Sequence, residues 1–233
     1  MEKLSCANCR YPPCPLADLP PQEARSLEGV IRSVSFAPQQ MIFEQGDPQN
    51  GCYLVCEGTA ILRTRTATGR RLMIGIIEPG DMLGVGSFLG QSHHELSAQA
   101  ITAIQARYLT RAACERLLQE PSLLTGKLLA VRAKQIRYLQ RHAQFLGARA
   151  GVRERLAALL LELGQRFGQE SQGARQIELK LSCELLGEVL DSHRSTVDLE
   201  LIELRRRGLI ARTEGRLVIL DEAGLWELAR NVF

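Results

Sequence analysis

The sequence predicts an α+β chain in three parts: an antiparallel β-roll of sandwich or barrel type, one long helix, and a small domain of helix, tight turn, helix and hairpin. Three observations predict it. From about Val34 to Leu109, short apolar runs are broken at regular intervals by Gly, Asp, Pro and Asn, the pattern of many short antiparallel strands. From Pro121 to about Leu146 the pattern is helical and free of Gly and Pro after Gly126. Between Ser182 and Gly208, two short helical stretches are separated by Asp191-Ser192, the spacing of a helix-turn-helix.

The length of 233 residues and a hydrophobic share of 45% suit two ordinary domains with cores of their own. The expected division is a cysteine-bearing segment over 1–20, the roll over 21–120, the long helix over 121–146 and the second domain over 147–233. In the roll, EQGD and EPGD read as turns, and Thr68-Gly69 closes a hairpin between AILRTRT and RRLMIGII, since these residues supply tight-turn geometry. Arg111 to Gln119 begins a helix.

On the long helix Leu124, Leu128, Val131, Gln135, Tyr138, His142 and Phe145 recur at alternating four- and three-residue steps. That heptad-like stripe suits a seam between two copies of the chain or a helix packed on its own domain's core, and Ile136, Leu139 and Leu146 widen it enough to contact a partner helix on one side and the parent domain on the other. Gly147 to Gly151 then interrupts the pattern as a hinge.

The second domain opens with VRERLAALLLELGQRFG, an amphipathic helix ended by Gly168. A polar loop follows, and then a half-buried strand over Gln176–Leu181. Ser182 suits an N-cap for a helix through Leu190, and a second helix runs from about His193 to Arg207. Leu209-Ile210 and Arg216–Leu220 flank Glu214-Gly215 as a hairpin. Trp226 reads as a core anchor in a final helix.

Charge alone announces no nucleic-acid partner. The formal net charge is +3, and from Gly151 onward twelve Lys/Arg face fourteen Asp/Glu. DNA binding must therefore rest on a local motif. The start has no apolar signal-peptide core, and no stretch is apolar enough to span a bilayer, so the expectation is a cytoplasmic protein, with no membrane partner. Seven cysteines in a reducing compartment are metal ligands, reactive thiols or buried small side chains before they are disulfides.

Cys6, Cys9 and Cys14 fall within CANCRYPPC. Thiolates are soft ligands for zinc, copper(I) or iron–sulfur centres, and a CxxC pair reaches one metal centre. Three ligands leave one position open. Zinc or a thiol redox switch is the alternative use of the trio. Cys52 and Cys56 stand two residues either side of Leu54 on one strand face, Cys114 reads as helix packing, Cys183 as structural, and His93-His94 as a solvated loop pair.

FEQGD, YLVCEGTAIL and EPGDMLG, followed by LLGEVLDSHRSTVDLELIELRRRGLI, resemble the CRP/FNR superfamily of bacterial transcription regulators over nearly the whole chain. The resemblance implies a roll like that of cyclic-nucleotide-binding domains, a dimerisation helix, a winged helix-turn-helix, and no enzymatic activity. It implies double-stranded DNA, a second copy of the chain and RNA polymerase as partners. Members that bind cyclic AMP hold its phosphate with an Arg-Ser pair, but no arginine occurs from Met82 to Ala106, so cyclic nucleotide sensing is not expected.

Within the superfamily the chain resembles the oxygen-sensing FNR branch, whose N-terminal cysteines hold a [4Fe–4S] cluster. That implies Cys6, Cys9 and Cys14 as ligands and a response to oxygen, nitric oxide or redox state. The branch's fourth cysteine aligns near Arg107, where it is absent. Because the last strand of the roll runs antiparallel to the strand holding Cys52, Cys52 is the favoured substitute, with Cys56 and Cys114 as alternatives. The other reading is a regulator of the same fold that senses haem, another small effector or thiol oxidation. On the second helix of the motif, His193, Arg194, Ser195, Thr196 and Asp198 occupy the positions that enter a major groove, with Ser182 placed to donate to phosphate. Ser195 and Leu199 stand where the family's usual Glu and Arg base readers would be.

Overall fold

The computed structural model describes residues 14–16, 20, 31–65, 69, 71–85, 92–119, scattered positions from 126 to 140, 150–171 and 173–232. It divides into two compact units, Met1–Leu139 and Gln140–Phe233. The division falls inside the long helical stretch, a few residues before the expected hinge.

Among the described residues the first unit holds eight strands: β1 (Ile31–Phe36), β2 (Met41–Phe43), β3 (Gly51–Glu57), β4 (Ala60–Arg65), β5 (Arg71–Ile77), β6 (Met82–Leu83), β7 (Ser97–Ala100) and β8 (Ile104–Thr110). They form two four-stranded sheets of order β1-β8-β3-β6 and β2-β7-β4-β5. The predicted turns close them with one device used twice. The Asp47 carboxylate accepts from the Glu44 N–H at 2.8 Å, and the Asp81 carboxylate from the Glu78 N–H at 3.0 Å. Gly58 is required between β3 and β4: its φ is +86°, and a Cβ there would sit 2.1 Å from the Ala103 carbonyl oxygen.

The β1-β8-β3-β6 sheet is covered on both faces, which explains the nearly continuous apolar run of β3. Val55, Leu83, Ile104 and Ala106 pack toward the second sheet against Phe43, Ala60, Ile77 and Ala98. Cys52, Leu54, Met82 and Leu109 face the other way, into a group that also holds Cys14, Leu16, Cys114 and Val131. Helix α1 (Arg111–Gln119) follows β8 directly.

The second unit contains α2 (Val152–Phe167), β9 (Gly168–Ser171), β10 (Ala174–Ile177), α3 (Cys183–Leu190), α4 (Arg194–Arg206), β11 (Ile210–Thr213), β12 (Arg216–Ile219) and α5 (Glu222–Ala229). The Glu154 carboxylate accepts from the Gly151 N–H at the start of α2, a capping contact. The sheet order is β11-β12-β10-β9. Three expectations need correction. The loop after α2 contains β9, and the partner strand β10 ends at Ile177 instead of reaching Leu181, although Leu179 and Leu181 are buried as expected. Trp226 is 42% exposed, because the inward face of α5 is set by Leu225 and Ala229, four residues apart.

Candidate functional site

Two places carry chemistry, one in each unit. The first is the thiol group beneath the β1-β8-β3-β6 sheet. Pairing of β3 with β8 sets Cys52 opposite Leu109 and Gly51 opposite Thr110, the antiparallel arrangement the family resemblance implied. Because α1 starts at the next residue, and the Arg111 N–H donates to the Asn50 carbonyl at 2.9 Å, its first turn lies over the beginning of β3. Cys114 thereby meets Cys52, with their Sγ atoms 3.4 Å apart. Cys14 is buried in the same apolar group. The hydrogen bond with Cys114, and then burial, push the Cys52 thiol well above the usual thiol range, so a metal binding there must displace a proton.

Cys6 and Cys9 lie outside the described residues. Cys56 is not brought to the site. A register shift between Val55 and Glu57 takes it off the face of Cys52 and Leu54, and its thiol donates to the Leu54 carbonyl at 3.7 Å, as a bulge residue does. Among the described residues, no three His, Cys, Asp or Glu side chains converge on a point that could hold a metal ion.

Cys114, a packing residue and an alternative fourth ligand in the sequence reading, lies against Cys52. Two readings of single residues change. His94 is buried and not solvated, stacked on Phe43 with ring centroids 3.8 Å apart. Desolvation lowers its pKa, with Asp47 opposing the shift, which keeps the imidazole neutral near pH 7. Val131, on the heptad-like stripe, packs on the buried thiol group, the parent-core alternative for that position. The other stripe residues lie outside the described side chains. Leu129 and Ile136 are 63% and 48% exposed; seven residues apart, they share a helix face opposite Val131.

The second place is α4. Its inward face is Val197, Leu201 and Leu204, and those residues fix its phase against the domain. His193 is the N-cap. Arg194, Ser195 and Asp198 are exposed, Thr196 half-buried, and Leu199 is 66% exposed. The Ser182 side chain accepts from the Leu185 N–H at 3.1 Å to cap α3, which leaves the hydroxyl proton to donate. The Cys183 thiol donates to Asp198 at 3.6 Å, tying α3 to α4. The turn is tight: Asp191 takes the left-handed conformation, the Ser192 N–H donates to the Gly187 carbonyl at 2.9 Å, and a Cβ on Gly187 would lie 2.7 Å from the Ser192 carbonyl oxygen. Of the Arg205-Arg206-Arg207 run, Arg206 and Arg207 both pair with Glu203 at 2.8 Å, and their hydrogen bonds hold that carboxyl down to about 2. The hairpin β11–β12 turns at Glu214-Gly215.

A family model described as the cyclic nucleotide-binding domain matches residues 33–121, and one described as the Crp-like helix-turn-helix domain matches residues 154–228. The nitrogen fixation regulation protein FixK of Rhizobium meliloti (strain 1021) is 31% identical over 184 residues, 79% of this chain and 80% of FixK. The chain belongs to the CRP/FNR family of transcription regulators. Among its relatives, the CRP-like cAMP-activated global transcriptional regulator of Mycobacterium tuberculosis is 28% identical over 203 residues, 87% of this chain and 90% of the relative. The solved structure of FixK2 from Bradyrhizobium japonicum superposes with a TM-score of 0.72 at 25% identity, covering 85% of this chain and 97% of FixK2. As a CRP/FNR regulator this protein binds DNA through its Crp-like helix-turn-helix unit.

Proposed function

We propose that this CRP/FNR regulator is controlled by an iron–sulfur centre, a [4Fe–4S] cluster by resemblance to the FNR branch, held by Cys6, Cys9, Cys14 and Cys52. It answers to oxygen, nitric oxide or redox state. The observation that supports the proposal is the burial of Cys14 and Cys52, from sequence-distant segments, in one apolar group, which brings two of the four candidate ligands into the same core. When bound, the centre supplies iron and sulfide that oxidants attack directly.

Val131 touches the same buried group, while Leu129 and Ile136 leave the opposite side of that helix exposed. A change at the thiols thus shifts the helix through Val131, and with it the packing of Leu129 and Ile136 against a second copy in a homodimer. The recognition helices α4 of the dimer then move into or out of register for two half-sites about one DNA turn apart. Arg194, Ser195, Thr196 and Asp198 face the bases, with His193 and Ser182 near the phosphates, and the dimer acts through RNA polymerase.

Cyclic AMP is left out of this reading because the stretch from Met82 to Ala106 carries neither Arg nor Lys to hold a phosphate. The test is anaerobic purification followed by iron and sulfide analysis. A brown protein that bleaches in air is expected, whereas a colourless, iron-free preparation would overturn the proposal.

A further inference from the structure

The outward side of α4 carries more apolar surface than a solvated helix needs. Val197, Leu201 and Leu204 are buried against the domain. On the opposite side Ser195, Leu199, Ile202 and Arg206 stand four, three and four residues apart, which makes one stripe down the helix, and all four are exposed. Among the described residues Leu199 is the most exposed large apolar side chain, at 66%, and Ile202 beside it is 46% exposed. A single exposed leucine needs no explanation. Two large apolar side chains in the middle of a stripe that faces away from the domain, on the helix that presents Arg194 and Ser195, do need one. The polar neighbours are held within the domain: Asp198 by the Cys183 thiol at 3.6 Å, Glu200 by Arg153 at 2.5 Å, and Glu203 by Arg206 and Arg207.

In the major groove each base pair shows its own edge, and only thymine shows a methyl group, on C5. A leucine side chain can neither donate to guanine nor accept from cytosine or adenine. Placed over those edges it would strip water from polar groups and leave them unpaired, whereas over thymine it removes two apolar surfaces from water at once. On the reading that α4 enters the major groove, we propose that Leu199 packs on the C5-methyl group of a thymine. It thereby selects an A·T pair, with the thymine on one particular strand, at that step of each half-site. Leu199 lies one turn after Ser195 and within the N-terminal half of α4, the end of a recognition helix whose residues contact base edges. Ile202, three residues further on, flanks the contact and keeps water from it.

The test uses the full-length protein, in whichever of its metal-loaded and metal-free forms binds DNA more tightly. Duplexes are selected from a random-sequence library with the wild type. Each thymine of the selected site is then replaced singly by uracil, which removes the methyl group and leaves the hydrogen-bonding edge as it was. At one symmetric pair of positions the wild type should lose affinity by about fourfold for uracil in one half-site and about sixteenfold for uracil in both. Leu199→Ala should bind the thymine and uracil duplexes equally at those positions, with a Trp226 melt like that of the wild type, while Ile202→Ala keeps the difference. Wild-type binding that is indifferent to uracil at every position, or a difference that persists in Leu199→Ala, overturns the role of Leu199 and leaves α4 as the reading helix. If no sequence is enriched over the library, the entry of α4 into the major groove fails along with it.

Discussion

Gly187→Ala separates two opposing effects in the DNA-binding unit. Gly187 lies inside α3, where Ala is favoured over Gly by about 0.8–1.0 kcal/mol, so propensity alone predicts a more stable protein. The added Cβ, however, would meet the Ser192 carbonyl oxygen at 2.7 Å and come within 3.6 Å of the Arg194 nitrogen. Both neighbours are backbone, and the same turn is closed by the Ser192 N–H on the Gly187 carbonyl, so relief requires moving the turn itself. Overpacking of this kind costs about 1–3 kcal/mol, which offsets the propensity gain and leaves a net loss of up to about 2 kcal/mol. In a unit of this size that lowers Tm by up to roughly 15 °C. Trp226 is the only tryptophan and belongs to this unit, so its fluorescence reports the melt without interference from the roll. The displaced turn also moves Arg194 and Ser195 at the start of α4, and a gel-shift titration should lose about 1–3 kcal/mol of specific DNA affinity. A variant that melts higher than wild type and binds DNA equally well would refute the reasoning.

Arg194→Ala should reduce DNA affinity by about 1–3 kcal/mol while leaving the Trp226 melt within about 0.5 kcal/mol of wild type; equal binding removes Arg194 from the interface. Glu203 has a depressed pKa of about 2, so its ion pairs are present above the unfolded carboxylate range and are lost only as pH falls toward that value. Glu203→Gln frees Arg206 and Arg207, and the salt dependence of DNA binding should steepen by up to about two counterions, as read from affinity against ionic strength. Because the pKa of His94 is lowered in the fold, the unfolded chain binds the extra proton, and stability of the roll should rise with pH up to about 6.5 and then level off. His94→Phe, which keeps the stack on Phe43, should flatten that rise in denaturant titrations from acid to neutral pH. Leu129→Glu with Ile136→Glu should shift the protein toward monomer in sedimentation velocity.

The parts that follow from local periodicity were legible in the sequence. The turns at Asp47 and Asp81, the break at Asp191-Ser192 and the hairpin at Glu214-Gly215 all carry their own residue signals, whereas the pairing of β3 with β8 followed from the family resemblance. What escaped was set by partners distant in the chain or by irregularity. Cys56 left the face of Cys52 because a bulge adds a residue that alternation cannot reveal. His94 is buried because Phe43, on another strand, stacks over it. β9 is made of GQES, which has no apolar alternation and is held by its pairing with β10. Val131 turned inward because the buried thiol group lies beneath it, and a heptad reading cannot tell a parent core from a partner helix. Arg206 and Arg207 both pair with Glu203 of the same helix. The thiol group was half legible: the strand register pointed to Cys52, but only the fold brought Cys114 against it.

The central claim, that the state of a thiolate-held centre sets DNA binding, is tested most directly by measuring iron content and DNA affinity on the same anaerobic sample as air removes the centre. The account predicts that affinity changes by more than about tenfold in step with loss of iron, and that Cys6→Ser and Cys9→Ser are fixed at the metal-free value. A DNA affinity that stays constant while the iron is lost would contradict it.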